Sequence, residues 1–568
     1  MHRRQFLFTG AIPLLGSIEP RPPEFTLQEA NEPANTYERL VRSNDQSVLR
    51  LLPHQERHTG RRGFGGLPDA QGIYTAGAAA GFIKTLAAAY SAPESGFYAA
   101  ADLIPRMEQA ARFLLSVQHK DGTIDLHTTN FHSPPDTAFV VEPLAVAVAV
   151  LRRKESTSLA RLKADLETFL RAAGRALVVG GIHTPNHRWV VCAALSRLNS
   201  LSPSDEYVSR IEDWLGEGID IDDDGQFTER STSIYSATCD NSLLTVARML
   251  KRPRLLDPVR RNLAMTLYYF HPGGEVATEG SRRQDQYAPG VVAGYHIPYR
   301  FLALEDDNAQ FASAARMIEN LYGDRLAGNL IYFLEEPRLG RDLSRGGTLP
   351  DDFARFFQHS DLVRIRRGAV SATILGANPT FFSLHKGGAV LQAVRLAAAF
   401  FGKGQFQGLK VEEESGRWVL RQSLVAPYYQ PLPAAARRAD GDWTRMDNAR
   451  RPQSEVQRLE TTVSIREDAG KFDIQFDLKG CDNVPVAVEL GFRKGGKLAG
   501  VVPLPRTPDC SLLEEGTGRY TAGGQTIEFG PGHADHRYAQ LRGALPRVDG
   551  LSVYLTGFTP FTGHLTIA

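Results

Sequence analysis

Residues that could move a proton occur in two stretches near the middle of the chain. Asn186 and His187 stand side by side in GGIHTPNHRW, and Tyr235 follows 49 residues after Asn186, at the end of DGQFTERSTSIY. Histidine is a common general base, and tyrosine can return a proton to a leaving group. A tyrosine beside a basic cluster is the arrangement wanted for removal of a proton alpha to a carboxylate.

A third stretch, EGSRRQDQY, would supply positive charge for this chemistry. A tyrosine at its ordinary pKa is a poor base, and a guanidinium beside it favours the phenolate. Arg282, Arg283 or Arg188, which follows His187, could have this effect.

Aromatic and polar residues around these stretches could contact a substrate. Trp189, Phe131 and Tyr287 each have a large flat ring on which a ligand could stack. Glu229 and His132 could hydrogen-bond hydroxyl groups or orient the tyrosine. The remaining candidates for substrate contact are Asn130, His296 and His385.

The stretch IDIDDDG resembles the start of a calcium loop. Asp220, Asp222 and Asp224 have the required spacing, and Gly225 stands where an EF-hand needs a glycine. The twelfth position of such a loop is Ser231 and not glutamate, so the closing ligand is missing. The pattern favours a tight Asp-Gly turn, with a bound cation as the minor alternative. We predict no metal site and no organic cofactor, although a structural cation is possible.

The overall composition is that of a globular protein of more than one domain. The chain has 568 residues, 42% hydrophobic and 23% charged, with a formal net charge of +1. This length predicts two or three domains. The balanced charge gives no reason to expect nucleic acid or a membrane surface as partner.

The N-terminus has the pattern of an export signal. MHRRQFLFTGAIPLLGSIEP begins with two arginines and continues with a short apolar run. The run is too short to span a bilayer, and RRQFL resembles a twin-arginine signal. We therefore expect residues 1–22 to be a signal and the protein to be periplasmic or secreted. No later segment is expected to span a membrane.

The four cysteines do not form a disulfide framework. Cys192 and Cys239 lie in apolar helical patterns and are expected to be buried thiols. Cys481 and Cys510 share the C-terminal region and could pair in an oxidising compartment.

The pattern of apolar residues along the chain changes near residue 350. From about 72 to 334, apolar residues recur at intervals of three and four, separated by short polar connections, which predicts many helices of similar length. Beyond 350, alternating and β-branched runs predict antiparallel strands. The predicted fold class is a multidomain α+β protein with stacked antiparallel helix pairs at 23–345 and an antiparallel β-sandwich at 350–568. Such helix pairs occur in open solenoids and in α/α toroids, and no clean sequence repeat distinguishes the two.

The polar stretches lie in loops that lead into helices. Loops at one rim of a helical toroid converge on its central cleft, so these loops could meet there. They are TTNFHSPPDTAF, GGIHTPNHRW, DGQFTERSTSIY and EGSRRQDQY.

These stretches resemble the polysaccharide lyases of the heparinase II/III-like type. The resemblance rests on Asn186 in its Asn-His-Arg context and on the pattern D-G-x-F-x-E-x-S ending at Tyr235. The family's tyrosine is often followed by a histidine, and here it is followed by Ser236. The assisting histidine is therefore open among His187, His296 and His385. TTNFHSPPDTAF and NHRW are most similar to the rhamnose-α-1,4-glucuronate lyases.

The resemblance implies β-elimination at a 4-O-linked glucuronate, which leaves a 4,5-unsaturated uronate. The substrate would be an acidic oligosaccharide or polysaccharide, and the subfamily implies rhamnose caps of arabinogalactan-type glycans. In this family an asparagine such as Asn186 neutralises the uronate carboxylate, a tyrosine such as Tyr235 exchanges protons, and a histidine often assists. The resemblance thus implies that Asn186 acts on the carboxylate with Arg282 or Arg283, that Tyr235 or His187 is the base, and that Tyr235 is the acid.

The resemblance also implies how the chain folds and holds its substrate. The helical part would be an α/α toroid, an incomplete barrel, followed by the β-sandwich. Trp189, Phe131 and Tyr287 would stack on sugar faces.

Two other functions are compatible with the sequence. A glycoside hydrolase on the same toroid, acting on glycans that contain uronic acid, would need two carboxylates flanking the scissile bond. The available carboxylates are Asp136, Glu142, Glu229, Asp240 and Asp285. A non-catalytic glycan-binding protein would use its aromatic loops and sandwich without chemistry.

Overall fold

The computed structural model describes residues 35–505 and 507–568. The expected export signal lies outside these residues. The chain forms two compact units. Unit 1 contains the described residues up to Leu267 together with Ser281–Leu349, and unit 2 contains Tyr268–Gly280 together with Pro350–Ala568.

Unit 1 is built from twelve described α-helices and one small hairpin. The helices are α1 Thr36–Leu51, α2 Ala76–Ser91, α3 Leu103–Val117, α4 Pro134–Arg152, α5 Ala160–Val179, α6 Pro185–Leu201, α7 Asp205–Gly216, α8 Tyr235–Met249, α9 Leu256–Thr266, α10 His296–Glu305, α11 Ala309–Tyr322 and α12 Leu330–Glu335. The hairpin strands are β1 Ile124–Leu126 and β2 Asn130–Ser133.

The helices of unit 1 pack as successive antiparallel pairs. Each of α2, α4, α6, α8 and α10 packs against the helix that follows it. The same five helices also pack against one another in order, from α2 with α4 to α8 with α10. This arrangement of an inner row with outer partners is the predicted α/α toroid, and the prediction is confirmed.

Helix α4 belongs to this inner row. It is the one helix in the described part of the chain with the length and hydropathy of a membrane span. Of its most apolar window, 67% is buried, and the helix packs against α2, α5 and α6. A core helix of a globular unit has the same apolar composition as a membrane helix, so α4 is explained by its packing.

Unit 2 contains eighteen described strands. They are β3 Asp352–Phe357, β4 Leu362–Arg367, β5 Val370–Leu375, β6 Phe382–Lys386, β7 Ala389–Ala398, β8 Gly404–Gln405, β9 Val411–Glu414, β10 Arg417–Tyr429, β11 Gln453–Asp468, β12 Lys471–Gly480, β13 Pro485–Phe492, β14 Lys497–Ala499, β15 Val502–Pro503, β16 Cys510–Leu512, β17 Gly518–Ala522, β18 Gln525–Gly530, β19 Leu551–Phe558 and β20 Phe561–Ile567.

The strands form two sheets around one core. One sheet has the order β14-β17-β18-β20-β12-β11-β10-β9, and the other has the order β15-β16-β19-β13-β7-β6-β5-β4-β3 with β8 beside β7. Every ladder between described strands is antiparallel except that of β16 with β19. Phe382 of one sheet meets Phe472 of the other edge to face, with ring centroids 5.1 Å apart. Both sheets contribute to the same buried cluster, which confirms the predicted β-sandwich.

The segment Tyr268–Gly280 belongs to unit 2 although the chain on both sides of it belongs to unit 1. The apolar pattern predicts a helix that continues to residue 270, but α9 ends at Thr266. Phe270 and Val276 instead form an antiparallel bridge, and the His271 N–H donates to the Glu275 carbonyl at 2.8 Å. The helical prediction is wrong at this end because Tyr269 and Phe270 are buried in unit 2 and not in the toroid.

All four cysteines are free thiols. Cys192 and Cys239 are buried as expected. Cys481 and Cys510 do not pair, so the structure contradicts a disulfide between them.

Candidate active site

Three loops of unit 1 bring the candidate residues together. They are the turn before α6, the segment 219–234 before α8, and the segment 281–292 after the excursion into unit 2. The buried Asp285 carboxylate joins the last two, because it accepts hydrogen bonds from the Ser231 hydroxyl at 2.9 Å and the Ser281 hydroxyl at 2.5 Å. It also accepts from the Ser233 N–H at 3.2 Å. Asp285 therefore fixes the two loops on either side of Tyr235.

The acidic stretch folds as the predicted Asp-Gly turn. The Gly225 N–H donates to the Asp222 carbonyl at 3.0 Å, and Gly225 has a φ of +92°. Asp220, the first ligand of the calcium alternative, accepts instead from Arg188 at 3.0 Å and from the Trp189 indole at 2.9 Å. Since protein donors occupy Asp220, the contacts favour the turn.

Asn186 and Glu229 form a direct buried contact. The Asn186 Nδ2 donates to Glu229 Oε2 at 2.6 Å and to the Thr184 hydroxyl at 3.1 Å. The Asn186 Oδ1 has no hydrogen-bond partner in the described part of the chain. Burial raises the pKa of Glu229 above its ordinary value, against the lowering effects of Asn186 and Arg283. Helix α6 places Asn186 here because Pro185 occupies its first turn, where no N–H is needed.

Arg283 connects this pair to Tyr235. Its Nε lies 3.2 Å from Glu229 Oε1, close enough for an ion pair but outside hydrogen-bond alignment. Its guanidinium also lies 4.8 Å from the centroid of the Tyr235 ring. A guanidinium over a tyrosine face is an attractive arrangement.

Tyr235 is the first residue of α8 and is only partly buried. Its backbone N–H, which has no partner within the helix, donates to the Ser231 hydroxyl at 3.1 Å. Gln284 Nε2 donates to the phenolic oxygen at 2.7 Å. The phenol still has its own proton, so it can donate that proton to another acceptor.

His187 lies next to Asn186 with a buried, neutral ring. Burial first, and then the field of His183, lower its pKa to about 4; Asp136 opposes this and Arg283 adds to it. The rings of His183 and Phe139 meet it edge to face at 4.8 Å and 6.3 Å. Its Nδ1 has no hydrogen-bond partner among the described residues. At neutral pH this imidazole is free of charge and able to accept a proton.

The neighbours of His187 on α6 have structural roles. Arg188 is buried and forms ion pairs with Glu217 at 3.2 Å and with Asp220. These two carboxylates balance its charge. Trp189 is 0% exposed, and the expectation that it stacks on a sugar is wrong because neither ring face is accessible. The Arg282 side chain is exposed, and the Arg282 backbone N–H donates to the Glu229 carbonyl at 3.0 Å.

Two of the three aromatic residues predicted to stack on a substrate are exposed, one on the β1–β2 hairpin and one on the third loop. Phe131 is 64% exposed, and His132 beside it pairs with Asp121 at 2.7 Å. Asn130 Nδ2 donates to Asp136 at 2.8 Å. Tyr287, on the third loop, is exposed and has a φ of +63°.

Two predicted histidines lie elsewhere. His296 is fully buried in unit 1, where its Nε2 is 3.0 Å from Glu319 and its Nδ1 accepts from Asn329 at 2.9 Å. Both nitrogens are therefore occupied by the protein, so His296 has a structural environment. His385 lies on β6 of unit 2, among other buried polar residues.

Two residues around the site, Gln284 and Phe139, were not among the candidates from the sequence, and Asp285 was a candidate only as a hydrolase carboxylate. Gln284 binds the Tyr235 hydroxyl, Asp285 fixes the two loops, and Phe139 contacts His187. Gln284 and Asp285 stand in the polar stretch EGSRRQDQY, which was the available signal. From its apolar side chain, Phe139 is expected to be a core residue of α4, yet it is 40% exposed.

The fold is similar to that of solved polysaccharide lyases. Heparinase III aligns with a TM-score of 0.55 and 11% identity, over 95% of this chain and 87% of that one. A Paenibacillus xanthan lyase aligns with a TM-score of 0.55 and 11% identity, over 93% of this chain and 56% of that one. A Streptomyces coelicolor chondroitin AC lyase, solved with chondroitin sulphate, aligns with a TM-score of 0.50 and 13% identity, over 95% and 80%. At these identities the similarity establishes the fold.

No protein-family model matches the chain, and no curated protein sequence matches it.

Proposed function

We propose that the chain is a polysaccharide lyase that cleaves a 4-O-linked glucuronate by β-elimination. The observation that carries this proposal is the continuous contact from Asn186 through Glu229 and Arg283 to Tyr235, with the neutral His187 beside it. This set contains an amide, a cation, a base and an acid, which are the groups that the elimination needs. The three lyases of similar fold support the same reaction class.

His187 is the base that we assign to the C5 proton. A buried neutral imidazole can accept a proton at neutral pH without first losing one. The negative uronate would bind close by and raise the affinity of the ring for a proton, which brings the base closer to the strength that the step needs.

Tyr235 is the acid that we assign to the O4 leaving group. Gln284 donates to the phenolic oxygen, and the Arg283 cation lies over the ring, so both stabilise the negative charge left after proton transfer. When the geometry is syn, Tyr235 can also serve as the base, which remains the alternative for the first step.

Asn186 and the arginines would neutralise the substrate carboxylate. Glu229 occupies Asn186 Nδ2 and lies against Arg283 before substrate binds. We assign Glu229 as the residue that positions both donors. Arg282 at the rim adds a cation that would meet the incoming uronate.

For the substrate we propose glucuronate capped by α-1,4-linked rhamnose, as on arabinogalactan-type glycans. The support is the similarity of TTNFHSPPDTAF and NHRW to enzymes of that specificity, together with the exposed Phe131 and Phe139 near this region. Elimination would release rhamnose and leave the unsaturated uronate on the glycan. A periplasmic or secreted location is part of the proposal, and its support is the export-signal pattern of residues 1–22.

The test is incubation with a rhamnose-capped glucuronate glycan and, separately, with a polymer that contains internal 4-O-linked glucuronate. A lyase produces the ultraviolet absorbance of a conjugated C4–C5 double bond. Release of sugar without this chromophore would identify a hydrolase instead, and binding without release would identify a glycan-binding protein. Absorbance with only the second substrate would keep the lyase and overturn the rhamnose assignment.

Tyr235→Phe should lower kcat by roughly 10²–10⁴-fold, because the proton donor is lost while the ring remains. Glycan affinity should change little. Tyr98→Phe, at an exposed tyrosine of the same unit, is the matched control and should keep the full rate. A full rate in Tyr235→Phe would show that another group carries the proton.

A further inference from the structure

A group of basic residues lies in the connection between α1 and α2, apart from the residues of the candidate active site. We call residues 54–62 the basic loop; it contains three arginines, two histidines and a single acidic residue. The basic residues, all of them exposed, are His54, Arg57, His58, Arg61 and Arg62. Because the formal net charge of the whole chain is only +1, this positive charge is a local feature that can attract an anion.

The one acidic residue of the basic loop is buried inside it. Glu56 Oε1 accepts from the His58 backbone N–H at 2.9 Å and lies 2.8 Å from His58 Nδ1. Glu56 Oε2 accepts from Arg61 at 3.1 Å and from the Tyr74 hydroxyl at 3.1 Å. Glu56 therefore holds the loop together from inside, while the basic side chains remain at the surface.

The backbone of the basic loop is also fixed to the rest of unit 1. The Glu56 N–H donates to the Gly66 carbonyl at 3.0 Å, and the Gly65 N–H donates to the Glu56 carbonyl at 2.8 Å. The Gln55 amide donates to the carbonyls of Gly65 and Arg106, both at 2.9 Å, and so ties the loop to α3. Since the loop already has a defined shape, little backbone entropy is lost when a ligand binds to it.

Arg57 and Arg62 are the arginines of the basic loop that remain for a partner. Neither forms an ion pair or a side-chain hydrogen bond with another residue in the described part of the chain. Burial, and then the nearby charge of Arg57, lower the pKa of Arg106 on α3. Like charges therefore lie close together here, and an anion that binds among them relieves their repulsion.

The basic loop lies at the same rim of the toroid as the candidate active site. Tyr74, which contacts Glu56, immediately precedes the N-cap of α2, Thr75. Helices α2, α4, α6 and α8 run in one direction, because each is followed by an antiparallel outer partner, so the chain enters all of them at one rim. Helix α4 separates α2 from α6, which places the basic loop roughly 16–20 Å from the start of α6.

We propose that the basic loop binds the carboxylates of an acidic glycan outside the catalytic centre and so retains a long substrate chain on the protein. The choice of a glycan as the anion rests on the proposed function. A guanidinium binds a carboxylate through paired hydrogen bonds, and Arg57 and Arg62 have these donors to give. The loop would contact sugars several units away from the scissile bond and would take no part in the elimination.

Two other kinds of polyanion carry charges that suit arginines, namely nucleic acid and an anionic lipid surface. The basic loop contains no Phe, Tyr or Trp. It therefore lacks the aromatic side chains on which unpaired bases stack, and the apolar ones that enter a lipid interface. The residue types of the loop favour the acidic glycan.

The first experiment measures binding with the full chain carrying Tyr235→Phe, so that the glycan is not cleaved. The probes are a glucuronate-rich arabinogalactan and the same polymer after its carboxyl groups have been reduced to alcohols. The double variant Arg57→Gln and Arg62→Gln should bind the acidic polymer about three- to tenfold more weakly. The difference should vanish with the reduced polymer, and also at about 1 M NaCl, where charges are screened beyond ~3 Å.

The matched control removes two exposed arginines from helix α5, by Arg171→Gln and Arg175→Gln. It changes the net charge by the same amount and should keep the affinity of the unchanged surface. Equal affinity of the loop variant and its parent, or an equal loss in both double variants, would overturn the proposal. Loop-dependent binding of a DNA duplex or of phosphatidylglycerol vesicles, as strong as that of the glycan, would overturn the choice of a glycan.

The second experiment separates the basic loop from the proposed active site. Here the loop variant keeps Tyr235, and kcat/KM is measured with the polymer and with a short glucuronate oligosaccharide that does not reach the loop. The ratio of the two values should fall by about the same three- to tenfold as the affinity. An equal fall with both substrates would place the loop in the catalytic centre and contradict the proposal. If the unchanged chain shows no lyase activity, the proposed function fails alone, because the binding experiment does not need turnover.

Discussion

Glu229 is the residue whose charge connects the candidate active site. Its carboxylate touches Asn186 directly and lies beside Arg283, which in turn covers Tyr235. Burial raises the pKa of Glu229, so the fold favours the protonated form more than water does. A carboxyl kept ionised there at neutral pH costs stability, and its retention is explained by a role in holding the two donors.

Glu229→Gln should therefore separate activity from stability. The amide can still accept from Asn186, but it no longer attracts Arg283, and misplacement of the guanidinium should lower kcat/KM by about a hundredfold. The thermal midpoint at pH 7 should be unchanged or higher, because a buried charge is removed. This gain should vanish as the pH falls and Glu229 itself becomes protonated. A large loss of midpoint at pH 7 would show that the ionised carboxylate is a net stabilising group.

The pKa of His187 predicts the pH below which kcat/KM of the reaction should fall. Its pKa in the folded chain is about 4, below the ordinary value of 6.5, because burial and His183 disfavour the charged ring. The base therefore stays neutral, and kcat/KM should stay high, until the pH approaches 4. An acid limb near 6.5 would point to a base other than His187.

The same shift affects stability. The unfolded chain takes up a proton below pH 6.5, whereas the folded chain does so only near pH 4. The stabilisation from the neutral ring is therefore complete above pH 6.5 and is lost as the pH falls from 6.5 to 4. His187→Gln should remove this component from the pH dependence of the free energy of unfolding.

The sequence identified the residue types of the site better than their partners. Asn186, Glu229, Arg283 and Tyr235 were candidates from the pattern alone, and the structure joins them in one contact chain. The sequence could not show that Trp189 faces inward, because the residue type alone does not indicate which way the side chain points. Burial within α6 decided that point.

The loop before α8 depends on two glycines in the left-handed region. Gly218 has a φ of +82° and open space around a would-be Cβ, whereas a Cβ on Gly225 would lie 2.6 Å from the Arg261 carbonyl. Both substitutions to alanine carry the cost of the backbone conformation, about 1–2 kcal/mol. Only the second adds a steric clash, which costs a further ~1–3 kcal/mol.

Gly225→Ala should therefore destabilise the chain more than Gly218→Ala in chemical denaturation. It should also lower kcat, because the turn positions the segment that carries Glu229. Gly218→Ala is the matched control and should leave kcat nearly unchanged. Equal free energies of unfolding for the two variants would show that the loop moves away from Arg261 without cost.

Most helices and strands could be predicted from periodicity. Intervals of three and four indicated α2 to α11, and alternation indicated the strands after residue 350, because each element buries one face. Helix α1 was not predicted, since its apolar residues are diluted by charged and polar ones. The strand-like segment 268–280 was not predicted either. Its burial depends on partners on β4 and β5, which no local pattern can reveal.

At the scale of the whole molecule, the chain leaves unit 1 after Leu267, contributes thirteen residues to unit 2, and returns at Ser281. A cut at residue 350 therefore does not separate two complete units. The C-terminal piece would keep Arg364 and Arg366 but lose the carbonyls of Tyr268, Tyr269 and Phe270 that accept from them.

A truncated chain of residues 350–568 should be less stable than unit 2 in the full chain. Each buried donor left without an acceptor costs about 1–3 kcal/mol. A synthetic peptide of residues 268–280 should raise the thermal midpoint of the truncated chain in a concentration-dependent way. A peptide with the same composition in scrambled order is the control. If the truncated chain is fully stable without the peptide, the segment does not contribute to the stability of the sheet.

The detour through unit 2 also has a consequence for biosynthesis. At roughly 5–20 residues per second, a ribosome finishes residues 268–280 several seconds before it finishes the strands that bind them. During that interval the nascent segment exposes Tyr269, Phe270 and Val276, all of which are buried in the finished protein. The sandwich unit is also not encoded by one continuous stretch of the message, because residues 268–280 are translated before the last helices of unit 1. Nascent chains of this protein should therefore bind chaperones that recognise apolar segments until translation has passed β6.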